Sequence, residues 1–123
     1  MSEQRKENGA GMERLRRAVR CSRAGLSAAW RNEEAFRQEL LLGLILIPLA
    51  LWRGESGAER ALLIGSLFVL FIVELLNTAV EVVVDRIGLE RHDLSGLAKD
   101  LGSSAVSLAI MQAVLVWLLV LFT

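Results

Sequence analysis

From Gly102 to Phe122 the chain carries no charged side chain, and this run constrains the fold more than any other feature. About 20 apolar residues are what an α-helix needs to cross the hydrocarbon layer of a bilayer. Two further apolar blocks accompany it. ALLIGSLFVLFIVELLNTAVEVVV, residues 61–84, is long enough to cross with tilt, and LLLGLILIPLALW, residues 40–52, reaches spanning length with Ala35 and Phe36 at its start. Three segments are too few to close a β-barrel, and unpaired backbone is prohibitive in lipid. The pattern therefore predicts an all-α membrane protein with spans at about 35–52, 61–84 and 102–122. The 123 residues, 54% of them hydrophobic, fit one membrane domain better than a water-soluble core. A single Pro and no Gly/Ser-rich tract argue against a linker, and the first 35 residues hold no apolar core of a signal peptide.

Charge sets the orientation. The formal net charge is zero, which gives no reason to expect nucleic acid as a partner, but nine of the fourteen Lys and Arg precede residue 40. The 53–60 connection holds only Arg53 and Arg60, whereas DRIGLERHDLSGLAKD, residues 85–100, holds Arg86, Arg91 and Lys99. With three spans, the N-terminal segment and the second connection share a side, and the excess of positive residues makes that side cytoplasmic. Within residues 12–34, Met12, Leu15, Val19, Leu26 and Trp30 fall on one helical face while Arg16, Arg17, Arg20 and Arg23 project elsewhere. Such a basic amphipathic helix suits the membrane surface, with Gly25 and Ser27 as places for a bend. Cys21 is the single cysteine, so no internal disulfide forms.

The second span carries a polar stripe. On a helix, Glu74, Asn77, Thr78, Glu81 and Asp85 share a face about 100° wide, with leucines and valines covering most of the rest. A carboxylate facing lipid at this depth costs several kcal/mol, so the stripe faces protein or water. Glu81 lies about 6 Å inward from Asp85 and Glu74 about 16 Å, by helical rise. The polar track thus enters from one surface and ends near mid-membrane. For Asn77 and Thr78, hydrogen bonding between helices is an equally good reading. For Glu74 and Glu81 it is a poor one, since Gln or Ser would join helices at lower desolvation cost.

Glu33, Glu34, Glu39, Asp93 and Asp100 add carboxylates on the same side, and Arg14, Arg17, Arg91 and Lys99 offer counter-charge to phosphates. Carboxylate oxygens suit Mg²⁺, which usually takes one or two of them together with phosphates and water. The set reads as Mg²⁺ and a polyphosphate meeting a membrane-buried substrate at Glu74. No GxxxxGK[ST] loop, kinase glycine-rich loop or HRD motif occurs.

At AAWRNEEAFRQE (28–39), VELLNTAVEVVVDRIG (73–88) and HDLSGLAKDLGSSAV (92–106), the sequence resembles the small integral-membrane diacylglycerol kinases of bacteria. The resemblance covers nearly the whole chain from about residue 14. It implies a homotrimer of three-span protomers in the bacterial inner membrane, each with an N-terminal surface helix, and a site composed from more than one protomer. The reaction it implies is transfer of the ATP γ-phosphate to the hydroxyl of diacylglycerol. Glu74 would then be the general base, supported by Asn77, with Glu33 and Glu81 on Mg²⁺ and, through it, ATP. Arg14, Cys21, Glu90, Arg91, His92, Lys99 and Asp100 would meet the nucleotide. Arg14, Trp30, Glu39 and Ser103 would join Glu74 along the lipid approach. The chain departs from better-known members at Cys21, Arg23, Ala24 and Leu97; this affects side-chain contacts at Cys21 and Leu97 and leaves backbone contacts available. Related enzymes phosphorylate undecaprenol, but HDLSGLAKD looks more like the diacylglycerol branch.

A proton-coupled transporter subunit is the rival from another class, because an intramembrane Glu also serves as a proton relay. Its track would continue to the far side, whereas ALLIGSLFVLF offers only one Ser. Trp52 and Trp117 are expected as interfacial anchors. His92 is expected as a solvated loop residue, and Gly43, Gly65 and Ser66 as sites of close helix contact.

Overall fold

The computed structural model describes residues 3–123, with side chains from residue 10 onward. Four helices follow one another: α1 Glu3–Asn32, α2 Glu34–Arg53, α3 Gly57–Ile87 and α4 Asp93–Phe122. The chain divides into two compact units, one ending at Glu34 and the other running Ala35–Thr123.

The first unit is essentially α1. It continues as one helix through Gly25 and Ser27, and its hydrogen bonding ends where the Glu33 N–H donates to the Ala29 carbonyl at 2.9 Å. Met12, Leu15, Val19, Leu26 and Trp30 are all between 43% and 59% exposed. Arg20 reaches Glu13 at 3.5 Å in an exposed ion pair of little energetic weight.

The second unit holds three helices long and apolar enough to cross a membrane: α2, α3 and α4. The turn from α2 to α3 is tight. Ser56 caps α3 by accepting from the Glu59 N–H at 3.1 Å, and the Glu59 carboxylate accepts from the Glu55 N–H at 3.3 Å, a reciprocal arrangement like a capping box. Arg60 Nε closes the turn by donating to the Leu51 carbonyl at 3.0 Å. At the other end His92 caps α4, its Nδ1 accepting from the Leu94 N–H at 3.1 Å. The exposed His92 is thus a helix cap as well as a solvated residue.

Packing is concentrated in the antiparallel pair α3 and α4. Leu63, Leu67, Leu70 and Val84 are buried on α3, with Ala109 and Ala113 buried on α4. Alanines at this seam let the helices approach closely, as is usual where both helices are bathed in lipid. α2 meets α3 where the Phe71 ring seats on Gly43: a β-carbon there would stand 2.8 Å from Phe71 Cζ. Gly65, expected as a contact site, has open space beside it instead.

With 31 and 30 residues, α3 and α4 are each about 45 Å long, well beyond the roughly 30 Å of a hydrocarbon layer. In α4 the excess falls at residues 93–101, where its charges are, and in α3 it is divided between residues 57–60 and 85–87. Residues 85–100 are therefore mostly helix, and only Gly88–His92 lies outside α3 and α4. Lys99 and Asp100 ride on the second turn of α4, because the His92 cap starts the helix at Asp93.

Candidate active site

The stripe on α3 faces its neighbours, as the cost of a lipid-facing carboxylate requires. Glu74 is 7% exposed; Asn77, Thr78 and Glu81 are half-buried; Asp85 is exposed. Leu76, Val82 and Val83, on other faces of the same turns, are about 60% exposed (61%, 62% and 59%). Burial thus rises along one face from the surface to the middle of the helix.

Three partners meet that face. At the deep end the Glu39 carboxyl of α2 lies within hydrogen-bonding reach of the Glu74 carboxyl. Their placement follows from the seat of Phe71 on Gly43, since Gly43 is one turn beyond Glu39 and Phe71 is one turn from Glu74. In the middle, Asn77 Nδ2 donates to Glu81 Oε1 at 3.4 Å, and Asn77 Oδ1 lies over Gly102 of α4. At the shallow end Lys99 Nζ donates to Asp85 Oδ1 at 2.9 Å, with both side chains nearly half exposed. Such a pair contributes about 0–1 kcal/mol and is easily exchanged.

Among the described residues, three buried side-chain atoms have no hydrogen-bond partner: Glu39 Oε2, Glu74 Oε2 and Asn77 Oδ1. All three are acceptors, and all belong to this face. Leaving a buried acceptor unpaired costs about 1–3 kcal/mol, and more when it is charged. Three unpaired oxygens gathered at one level of the bundle are suited to an O–H or N–H donor or to a cation. The donors are hard oxygens, which fits Mg²⁺ held by one or two carboxylates with phosphates and water. Among the described residues no three His, Cys, Asp or Glu side chains gather into a metal cage, so a metal here would depend on oxygens from its substrate.

Beyond the stripe, a hollow of about 290 Å³ lies around the turn between α3 and α4, lined by Asp85, Glu90, Arg91, His92, Ser95 and Lys99 among others. It brings together four of the expected nucleotide contacts: Glu90, Arg91, His92 and Lys99. Asp100 and Ser103 are exposed on α4 outside that lining. Arg14, Cys21 and Trp30 are exposed on α1, and Glu33 lies half-exposed at its end, all in the first unit.

The half of the hairpin nearer the α2–α3 turn holds a second polar group that sequence reasoning passed over. Gln112 Nε2 donates to the Ser66 carbonyl at 2.8 Å and to the Ala109 carbonyl at 2.9 Å. Trp117 Nε1 donates to the Leu63 carbonyl at 3.1 Å and to Ser66 Oγ at 3.2 Å, and Ser66 Oγ itself donates to the Leu63 carbonyl at 2.8 Å. Trp117 is therefore a half-buried tie between α3 and α4. The available signal was Gln112, an amide in a charge-free span.

Residues 20–121 match the sequence model of the family described as prokaryotic diacylglycerol kinase. The chain belongs to that family. Within the prokaryotic diacylglycerol kinase match lie the whole α3 stripe, Glu39 and the hollow at the α3–α4 turn; of the expected contacts only Arg14 precedes it. Curated relatives agree. The chain is 48% identical to the diacylglycerol kinase of Escherichia coli over 116 residues, 94% of this chain and 95% of the relative. It is 48% identical to that of Haemophilus influenzae over 112 residues (91% and 95%) and 39% identical to that of Helicobacter pylori over 107 residues (87% and 84%).

Proposed function

We propose that this chain phosphorylates diacylglycerol, transferring the γ-phosphate of ATP to the free lipid hydroxyl to give phosphatidic acid at the cytoplasmic face of the bacterial inner membrane. Family membership carries the kinase activity. The observation that carries the site is the set of unpaired buried acceptors around Glu74, at mid-membrane depth on a face that opens at one end only.

The roles are those that the family resemblance implies. Glu74, buried and with one oxygen lacking a donor, accepts the proton of the lipid hydroxyl as oxygen attacks phosphorus. Glu39, beside it, holds the hydroxyl end of the lipid in place, with Trp30 and Ser103 along the approach. Asn77 orients Glu81, which with Glu33 would hold Mg²⁺; the ion supplies neutralisation of the phosphate charge that grows during transfer. Arg14, Cys21, Glu90, Arg91, His92, Lys99 and Asp100 would meet the nucleotide, four of them around one hollow. Lys99 can leave the exposed Asp85 pair for a phosphate at little cost.

The working unit is a homotrimer with each site completed by a second copy. The family resemblance at residues 28–39, 73–88 and 92–106 supports this. The apolar face of α1 lies on the cytoplasmic leaflet, with its arginines toward the headgroups. Beyond Glu74 the outward half of α3 offers no polar track: Ser66 is consumed by Leu63 and Trp117. That closure favours a one-sided enzyme over a proton-coupled transporter.

The test is product formation. Purified protein with ATP, Mg²⁺ and dioleoylglycerol in mixed micelles should make phosphatidic acid. Product with undecaprenol and none with dioleoylglycerol would overturn the substrate assignment.

A further inference from the structure

Gly102 stands inside α4, where alanine would be the better helix former. Nothing in the backbone requires glycine there: no described glycine has positive φ, and α4 continues on both sides. What distinguishes the position is the group that faces it. A β-carbon at Gly102 would run into Asn77 Oδ1 and stand 3.3 Å from Asn77 Cγ and 3.9 Å from its Cβ. Further along α4, Ala109 and Ala113 keep β-carbons buried within the same hairpin. The missing side chain is thus a feature of the level of Asn77, not of the whole seam.

Asn77 uses that space in two ways. Its Nδ2 is turned to Glu81 Oε1, and its Oδ1 is held buried without a donor.

We propose that Gly102 is a positioning residue of the active site: it leaves room for the Asn77 amide to lie against α4, with Nδ2 aimed at Glu81 and Oδ1 kept as a free acceptor. The inference rests on the assignment of Glu81 to Mg²⁺ and nucleotide. A methyl group at 102 collides first with the far end of a side chain, not with backbone. The amide therefore turns away while the helices stay together, and Glu81 loses the donor that orients it. Residues that orient a metal ligand in this way typically change metal affinity by about 10- to 100-fold.

The experiment uses the full chain in detergent micelles. Gly102→Ala should keep the far-UV CD spectrum and unfolding midpoint of the parent. Mn²⁺ binding in the presence of a non-hydrolysable ATP analogue, read by EPR, should weaken about tenfold. The Mg²⁺ concentration for half-maximal turnover should rise by a similar factor, with KM for dioleoylglycerol unchanged. Adding Asn77→Ala to Gly102→Ala should cost no more than Asn77→Ala alone, because the two act as one unit. Gly57→Ala, whose β-carbon would meet open space at the far end of α3, should match the parent throughout. Parent-like Mn²⁺ affinity in Gly102→Ala overturns the inference. So does full additivity with Asn77→Ala, or loss of the fold, either of which would make Gly102 a packing residue. Glu81→Gln measured alongside separates the two readings: if it leaves Mn²⁺ binding unmoved, the metal assignment fails; if it weakens binding while Gly102→Ala does not, the positioning role alone fails.

Discussion

The two halves of the α3–α4 hairpin handle buried polar groups in opposite ways. In the half nearer the α2–α3 turn, Ser66, Gln112 and Trp117 form a closed set in which each donor has found an acceptor. In the other half, Asn77 and Glu74 of α3, with Glu39 of α2, leave three acceptors without partners. Ser66 and Glu74 sit on the same helix at comparable burial, so position along α3 and not depth of burial separates the two sets. A satisfied set holds two helices together; an unsatisfied set waits for a donor or cation from outside the chain. On the proposed function, that donor is a lipid hydroxyl.

Breaking the unsatisfied half should abolish chemistry. Glu74→Gln should lower kcat by about 10²- to 10⁴-fold, the usual contribution of a general base, with nucleotide affinity largely kept. Turnover equal to the parent would remove Glu74 from its role. Next in size, Glu81→Gln should raise the Mg²⁺ requirement about tenfold or more, measured as the concentration for half-maximal phosphatidate formation. Breaking the satisfied half should do the reverse. Gln112→Leu should lower stability by about 0.5–2 kcal/mol while keeping kcat, as chemical denaturation in micelles and a turnover assay would show. A Gln112→Leu protein that is stable and inactive would erase the distinction between the halves. Smallest of all, Asp85→Asn should change stability by about 0–1 kcal/mol, because the Lys99 pair is exposed.

The orientation of the stripe was legible because helical periodicity alone relates Glu74, Asn77, Glu81 and Asp85. The cost of charge in lipid then decided what that face must meet. The three apolar spans were legible for the same reason, as properties of single segments. What escaped were relations between segments. Nothing in the spacing of 35–52 and 61–84 indicates that Glu39 meets Glu74, since that register is set by the Phe71 ring on Gly43. Trp117 near a span end looks like any interfacial anchor until the Leu63 carbonyl and Ser66 hydroxyl are seen opposite it. The start of α4 was missed because its cap is a histidine rather than Ser, Thr, Asp or Asn, which left Asp93–Asp100 reading as loop. Gly102 was passed over because its meaning depends on a side chain 25 positions away, as its contact with Asn77 shows.

On the proposed function, the Glu74 carboxylate is held for a substrate at the expense of stability. The direct test is the unfolding midpoint of Glu74→Gln in substrate-free micelles. An amide at 74 can donate an N–H to the Glu39 carboxylate where two carboxyls would otherwise have to share a proton, so the variant should unfold at the same temperature as the parent or higher. A midpoint several degrees below the parent would show that Glu74 already makes favourable bonds within the chain, and would contradict the account.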